Sequence, residues 1–98
     1  MTDFILSESA KKDLRNITTY TMETWSETQA IKYYNILLDA CEYLASRQSP
    51  VGRSYDGIRP DLYGFHCARH IIFYRYLSSN RVRIVRILHE RMDYPRHL

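Results

Sequence analysis

Two runs near the C-terminus constrain this 98-residue chain more than anything else in it: Ile71-Ile72-Phe73-Tyr74-Arg75-Tyr76-Leu77 and Val82-Arg83-Ile84-Val85-Arg86-Ile87-Leu88-His89. Both are dense in β-branched and aromatic side chains, and the short polar break Ser78-Ser79-Asn80 between them reads as a tight antiparallel hairpin. Alternation along the two strands sets Ile72, Tyr74 and Tyr76 against Ile71, Phe73 and Arg75, and Val85, Ile87 and His89 against Ile84, Arg86 and Leu88. Period-two alternation gives the partition but does not say which face is inside. The sets containing Tyr74 and Val85 are expected to face the core.

A sheet with one apolar face has to bury it against another layer, and the N-terminal half supplies helices for that purpose. Phe4-Ile5-Leu6 forms a short first strand over residues 3–6, ending at Ser7, whose hydroxyl suits a helix N-cap. From Glu8 to about Trp25, Ala10, Leu14, Ile17 and Thr21 recur at helical intervals, with Lys11, Lys12, Arg15 and Glu23 toward water. Ser26-Glu27-Thr28-Gln29 fits a capping box and starts a second helix to Ser46, whose inner stripe is Ala30, Tyr34, Leu37, Cys41, Leu44 and Ala45. With almost no linker, the two must fold back as an antiparallel pair. Residues 49–64 hold all three glycines and two of the three prolines and read as one long loop, after which Phe65 to Arg69 begins the C-terminal strands. The expected fold class is α+β, in the order β-α-α-β-β-β, an antiparallel sheet covered on one face by a helical hairpin. At this length residues 1–98 make one domain.

Several function classes drop out on composition. The run Met1-Thr2-Asp3-Phe4-Ile5-Leu6-Ser7 lacks the basic flank and length of a signal-peptide core, and nothing approaches the roughly 18 apolar residues of a membrane span. A cytoplasmic protein without membrane contact is expected. Cys41 and Cys67 have no paired spacing and read as small apolar residues, so neither a disulfide nor a metal is anticipated. His66, Cys67 and His70 do not form a metal set, because on a strand Cys67 points away from the other two. No cofactor is implied.

Charge is distributed unevenly. Residues 1–48 carry five Lys/Arg against seven Asp/Glu, whereas residues 49–98 carry nine against four, and all nine are arginines: 53, 59, 69, 75, 81, 83, 86, 91 and 96. A guanidinium fork binds planar anions through two hydrogen bonds, so nucleic acid and an acidic protein segment are both consistent partners. On the sheet face away from the helices, Arg75 and Arg86 should stand beside Ile71, Phe73, Ile84 and Leu88, a mixed surface that an amphipathic acidic segment would cover. Nine tyrosines add contact area with few torsions to freeze. Tyr34, Tyr74 and Tyr76 are expected in the core, and Tyr55, Tyr63 and Tyr94 at the surface.

At Arg69-His70-Ile71-Ile72-Phe73-Tyr74-Arg75, at Ile58-Arg59-Pro60, and above all at the closing His89-Glu90-Arg91-Met92-Asp93-Tyr94-Pro95-Arg96-His97-Leu98, the chain resembles ParE-type toxins of the ParE/RelE superfamily. The resemblance extends to the β-α-α-β-β-β order over essentially the whole chain. It implies the toxin of a type II toxin-antitoxin pair, wrapped by the flexible C-terminal part of a ParD-like antitoxin. It also implies DNA gyrase as the target, inhibited by binding without chemistry and without sequence-specific DNA recognition by the toxin itself. Arg59, Arg69, Arg75, Arg86 and Arg91 are the expected cationic contacts. After Pro60 the family commonly continues with glycine and basic residues, whereas this chain reads Asp61-Leu62-Tyr63-Gly64-Phe65.

The sister RelE-like branch cleaves messenger RNA at the ribosome with basic residues and no metal. Such cleavage needs one group to take the 2′-hydroxyl proton, another to protonate the leaving oxygen, and cations on the phosphate. His89, Arg91 and Tyr94, with Arg69 or Arg75, are the set this chain could offer, although Glu90 and Asp93 among them would repel a phosphate.

Overall fold

Two serines start the helical layer as their positions predict. A computed structural model describes residues 3–98, so Met1 and Thr2 of the N-terminal run lie outside the described residues. Helix α1 spans Glu8–Thr24, and the Ser7 hydroxyl accepts from the Ala10 N–H at 3.0 Å while donating to the Val85 carbonyl at 2.7 Å. One side chain thus caps the helix and ties it to the sheet. Helix α2 spans Glu27–Ser46, capped by Ser26 Oγ accepting from the Gln29 N–H at 3.0 Å. Ala10, Leu14, Ala30, Leu37, Ala40, Cys41, Leu44 and Ala45 are buried, and the four alanines among them let the helices lie close to each other and to the sheet. Tyr34 does not join them: it is 38% exposed and borders a groove with Leu6, Lys11, Leu14 and Arg15. Leu37 and Cys41 hold the inner stripe, and Tyr34 falls at its margin, where its hydroxyl stays in water.

The sheet has five strands in the order β1-β5-β4-β3-β2, with β1 at Asp3–Leu6, β2 at Arg53–Ser54, β3 at Leu62–Cys67, β4 at His70–Ser78 and β5 at Arg81–His89. Strands β2 to β5 are antiparallel to their neighbours, and β1 lies parallel to β5 with Asp3 opposite Arg81 and Leu6 opposite Ile84. The α+β class with a helical hairpin over the sheet is as expected; the parallel edge makes the sheet mixed. The glycine-bearing segment is shorter as a loop than its composition suggests, because β2 and the start of β3 lie inside it. Gly52, at φ +94°, lies against the Gly64 carbonyl where a Cβ would collide, so it marks a bend pressed onto β3. Asn80, at φ 63°, makes the left-handed turn of the β4–β5 hairpin.

Strand β5 carries a bulge. Phe73 pairs with Arg86 but Tyr74 pairs with Ile84, leaving Val85 as an extra residue. Alternation therefore slips in mid-strand. Val82, Ile84 and Ile87 join Ile72 and Tyr74 beneath the helices, while Leu88, with Val85 packed beside it, joins Ile71, Phe73 and Leu62 on the far face. Ile72, Tyr74 and Ile87 are placed as expected; Ile84 and Val85 are exchanged, since a strict period of two cannot survive an inserted residue.

Candidate functional site

The face away from the helices is closed by the chain itself. Tyr55, Tyr94 and Leu98 pack on Leu62, Ile71, Phe73 and Leu88, and the short 3-10 turn Tyr94–Arg96 carries the last of the chain across them. Tyr55 meets Phe73 edge-on at 5.1 Å and Tyr94 at 5.4 Å. Gly64 makes room for it, because a Cβ there would stand 2.5 Å from the Tyr55 ring. Two arginines fasten the tail: Arg59 Nη2 donates to the Leu98 main-chain oxygen at 3.1 Å, and Arg86 Nη1 to the His97 carbonyl at 2.8 Å. The expected open surface of Ile71, Phe73, Ile84 and Leu88 is therefore absent. Ile84 lies under the helices, and the other three are at most 7% exposed beneath the chain's own aromatics. An uncovered apolar sheet face is unfavourable in water, and these segments remove it.

What that face does present is a cavity of about 290 Å³ lined by Arg59, Arg75, Arg83, Arg86, Ser7, Ser9, Val85 and His97. Each arginine is placed by a distinct piece of backbone. Arg75 on β4 and Arg83 on β5 are direct cross-strand partners. Arg86 follows the bulge, and its fork binds Asp13 of α1 through Nε at 2.7 Å and Nη2 at 2.8 Å. That hydrogen-bonded pairing raises the Arg86 pKa. Asp13 also accepts the Ile87 N–H at 3.0 Å, a strand donor that β1 leaves unpaired by ending opposite Ile84. Arg75 differs from Arg86 in having no such partner: its Nε is buried and makes no hydrogen bond.

Of the five arginines expected to act together, Arg59, Arg75 and Arg86 line this cavity. Arg69 and Arg91 lie at the opposite end of the hairpin, where the Arg69 carbonyl accepts from the Glu90 N–H at 3.0 Å. Arg83 and His97 enter the sequence reading only through the strand run, the arginine count and the closing motif, not as site residues, and Asp13 does not enter it at all. Hairpin register would have found Arg83 by placing it across from Arg75, but nothing in the spacing of α1 singles out Asp13.

At the Arg69 end, His66 and Glu90 pair at 2.7 Å, and His66 holds the Glu90 carboxyl below its usual range. Tyr33 Oη bonds His70 Nδ1 at 2.6 Å and accepts the Arg69 N–H at 3.2 Å. Burial first, and the neighbouring His89 second, lower the His70 pKa to about 4. The His89 ring stands edge-on to His70 at 5.4 Å, on the helix side, while its Nδ1 accepts the Arg91 N–H at 3.1 Å. Tyr94 lies against Phe73 on the far side. His89 and Tyr94 thus occupy opposite faces of the sheet, and the trio His89, Arg91 and Tyr94 does not converge on one substrate position. Burial drives the Cys41 thiol up to about 12. Among the described residues no three of His, Cys, Asp and Glu stand close enough to hold a metal ion, and no helix is long and apolar enough to cross a membrane.

A helical hairpin over one face of a mixed five-stranded sheet is an α+β architecture of the RelE/ParE-like kind. Residues 4–94 match the profile of the family described as "ParE toxin of type II toxin-antitoxin system, parDE". The chain belongs to that family. It is 34% identical over 95 residues to Toxin ParE1 of Mycobacterium tuberculosis, covering 97% of this chain and 96% of that one. Toxin ParE1 of Caulobacter vibrioides is 33% identical over 98 residues, covering 100% and 99%. A solved chain of the chromosomal ParDE TA system from P. aeruginosa shares the fold, with a TM-score of 0.73 at 16% identity over 91% of this chain and 96% of that one.

Proposed function

We propose that this chain is the toxin of a ParDE-type pair, held inactive by a ParD-like antitoxin and, when released, binding DNA gyrase in the cytoplasm to halt its turnover. The family match over residues 4–94 is the observation that carries this reading. The geometry adds two points of support. Arg59, Arg69 and Arg91 are exposed cations on the arginine-rich half, suited to acidic segments of either partner. The placement of His89 and Tyr94 on opposite sides of the sheet favours binding over RNA cleavage by that pair.

Expression without the antitoxin should arrest growth, and the purified protein should inhibit gyrase supercoiling. Arg91→Glu should weaken supercoiling inhibition or antitoxin binding by roughly tenfold, as expected when one charge-assisted contact is reversed. Unchanged values for both would remove Arg91 from the contact surface. Discrete new 5′ ends in cellular transcripts, with supercoiling untouched, would replace the gyrase reading with RNA cleavage.

A further inference from the structure

The arginine cavity has a charge imbalance that the protein does not resolve. Among the described residues, four guanidinium groups and no Asp or Glu side chain line it. Asp13 compensates Arg86 from outside the lining and Arg59 is held by the Leu98 main-chain oxygen, which leaves Arg75 and Arg83. Arg75 and Arg83 oppose each other directly across the hairpin, an arrangement that destabilises a sheet when the charges are alike. Arg75 Nε is buried with no acceptor, and a buried charged donor without a partner is among the costliest features a fold can keep. An anion seated between these forks relieves the like-charge opposition of Arg75 and Arg83.

We propose that this cavity binds a multiply charged phosphate group, a phosphomonoester or a pyrophosphate. A carboxylate or a phosphodiester brings a single negative charge and would leave part of the imbalance in place. A phosphomonoester carries about −1.5 to −2 at neutral pH with three acceptor oxygens, and a pyrophosphate more of both, which suits several guanidinium forks converging from different directions. Ser9 adds a hydroxyl at the rim. At about 290 Å³ the space sits near the lower limit of small-ligand pockets, roughly 300 Å³. Its small volume suits one charged group better than a groove that tracks a strand. The site does not depend on whether gyrase is the target. The phosphate can come from a small molecule or from the 5′ terminus of a nucleic acid, since both present the same oxyanion.

The test is calorimetric titration of inorganic pyrophosphate into the full chain at low ionic strength, with 5′-phosphorylated and unphosphorylated oligonucleotides and an acidic peptide as parallel ligands. Saturable binding at one site per chain is expected, weakened at least roughly tenfold by Arg83→Gln and unaffected by Arg91→Gln. Arg83 is exposed, so its substitution should leave the fold intact. Without anion, Arg83→Gln should melt no lower than the parent because a like-charge pair is relieved, and its Tm should no longer rise with pyrophosphate. Displacement of pyrophosphate by a nucleoside monophosphate would support a small-molecule source. Preference for the 5′-phosphorylated oligonucleotide over the unphosphorylated one would support a nucleic-acid terminus. The proposal is overturned by an absence of saturable pyrophosphate binding or by equal affinity in Arg83→Gln. It is equally overturned if the acidic peptide binds where pyrophosphate does not, or if oligonucleotide affinity grows with length regardless of the 5′ phosphate.

Discussion

Tyr74 shows how much a single hydroxyl can organise. Its ring is fully buried among the helix-facing residues, and its Oη donates to the Val51 carbonyl at 2.5 Å while accepting the Val51 N–H at 2.8 Å. A core tyrosine is tolerated when its hydroxyl finds such partners, and this one ties the glycine-bearing segment to the sheet. Tyr74→Phe keeps the ring but strands both Val51 groups, so it should lower stability by about 1 to 3 kcal/mol in urea unfolding, with little change in m-value. Its core position was legible from strand alternation; its bond to Val51 was not, because no local pattern encodes a contact across 23 residues. His70 offers a pH-dependent counterpart. Its folded pKa of about 4 lies below the usual 6.5, so as pH falls through that window the unfolded chain takes up the proton first. The His70 contribution is therefore full above about 6.5, declines toward pH 4 and levels off below it; the lowered Glu90 pKa acts in the same direction but only below the ordinary glutamate value of 4.5. Thermal melts from pH 7.5 to 4 should show this decline. An NMR titration giving His70 a midpoint near 6.5 would rule out burial as its cause.

The elements with clear punctuation, α1, α2 and the β4–β5 hairpin, lie within a residue or two of where capping serines and a polar turn put them. Elements fixed by long-range pairing were harder to see. Strand β2 is two residues long and exists because Arg53 and Ser54 find Gly64 and Tyr63, a match that Gly and Pro content conceals. The β5 bulge has no sequence mark either, and it alone decides that Ile84 faces the helices and that Arg86 can turn toward Asp13. The most consequential miss concerns the far face. Read as an open docking surface, it is instead lined by the chain's own Tyr55, Tyr94 and Leu98. Tyr94→Ala should remove the ring from Phe73 and Tyr55 and cost about 2 kcal/mol, less than a fully buried aromatic because Tyr94 is only half-buried. It should also raise binding of a hydrophobic dye. A Tm equal to the parent's would mean that the tail contributes nothing to the cover.

At the scale of the whole molecule the charge asymmetry of the sequence becomes a spatial one. The first 48 residues, net −2, build β1 and both helices, while the remainder, net +5, builds β2 to β5 and the tail. The helical layer is thus mildly acidic and most of the sheet layer strongly basic. Arginine enrichment was visible without coordinates. Which arginines meet was not, because that depends on hairpin register and on the bulge. Such a separated charge distribution orients an approaching polyanionic partner before contact, an effect that acts on association more than on dissociation. Screening shortens its range from about 10 Å at 0.1 M salt to about 3 Å at 1 M. The association rate with the proposed ParD-like antitoxin should therefore fall by roughly tenfold or more between 0.05 and 0.5 M salt, with a much smaller change in the dissociation rate. Reversing exposed cations outside the cavity, as in Arg69→Glu with Arg91→Glu, should slow association at low salt and flatten its salt dependence. Rates that do not respond to salt, measured by stopped-flow or surface plasmon resonance, would show that the basic layer takes no part in capturing the antitoxin and that recognition rests on the apolar surface of the helices.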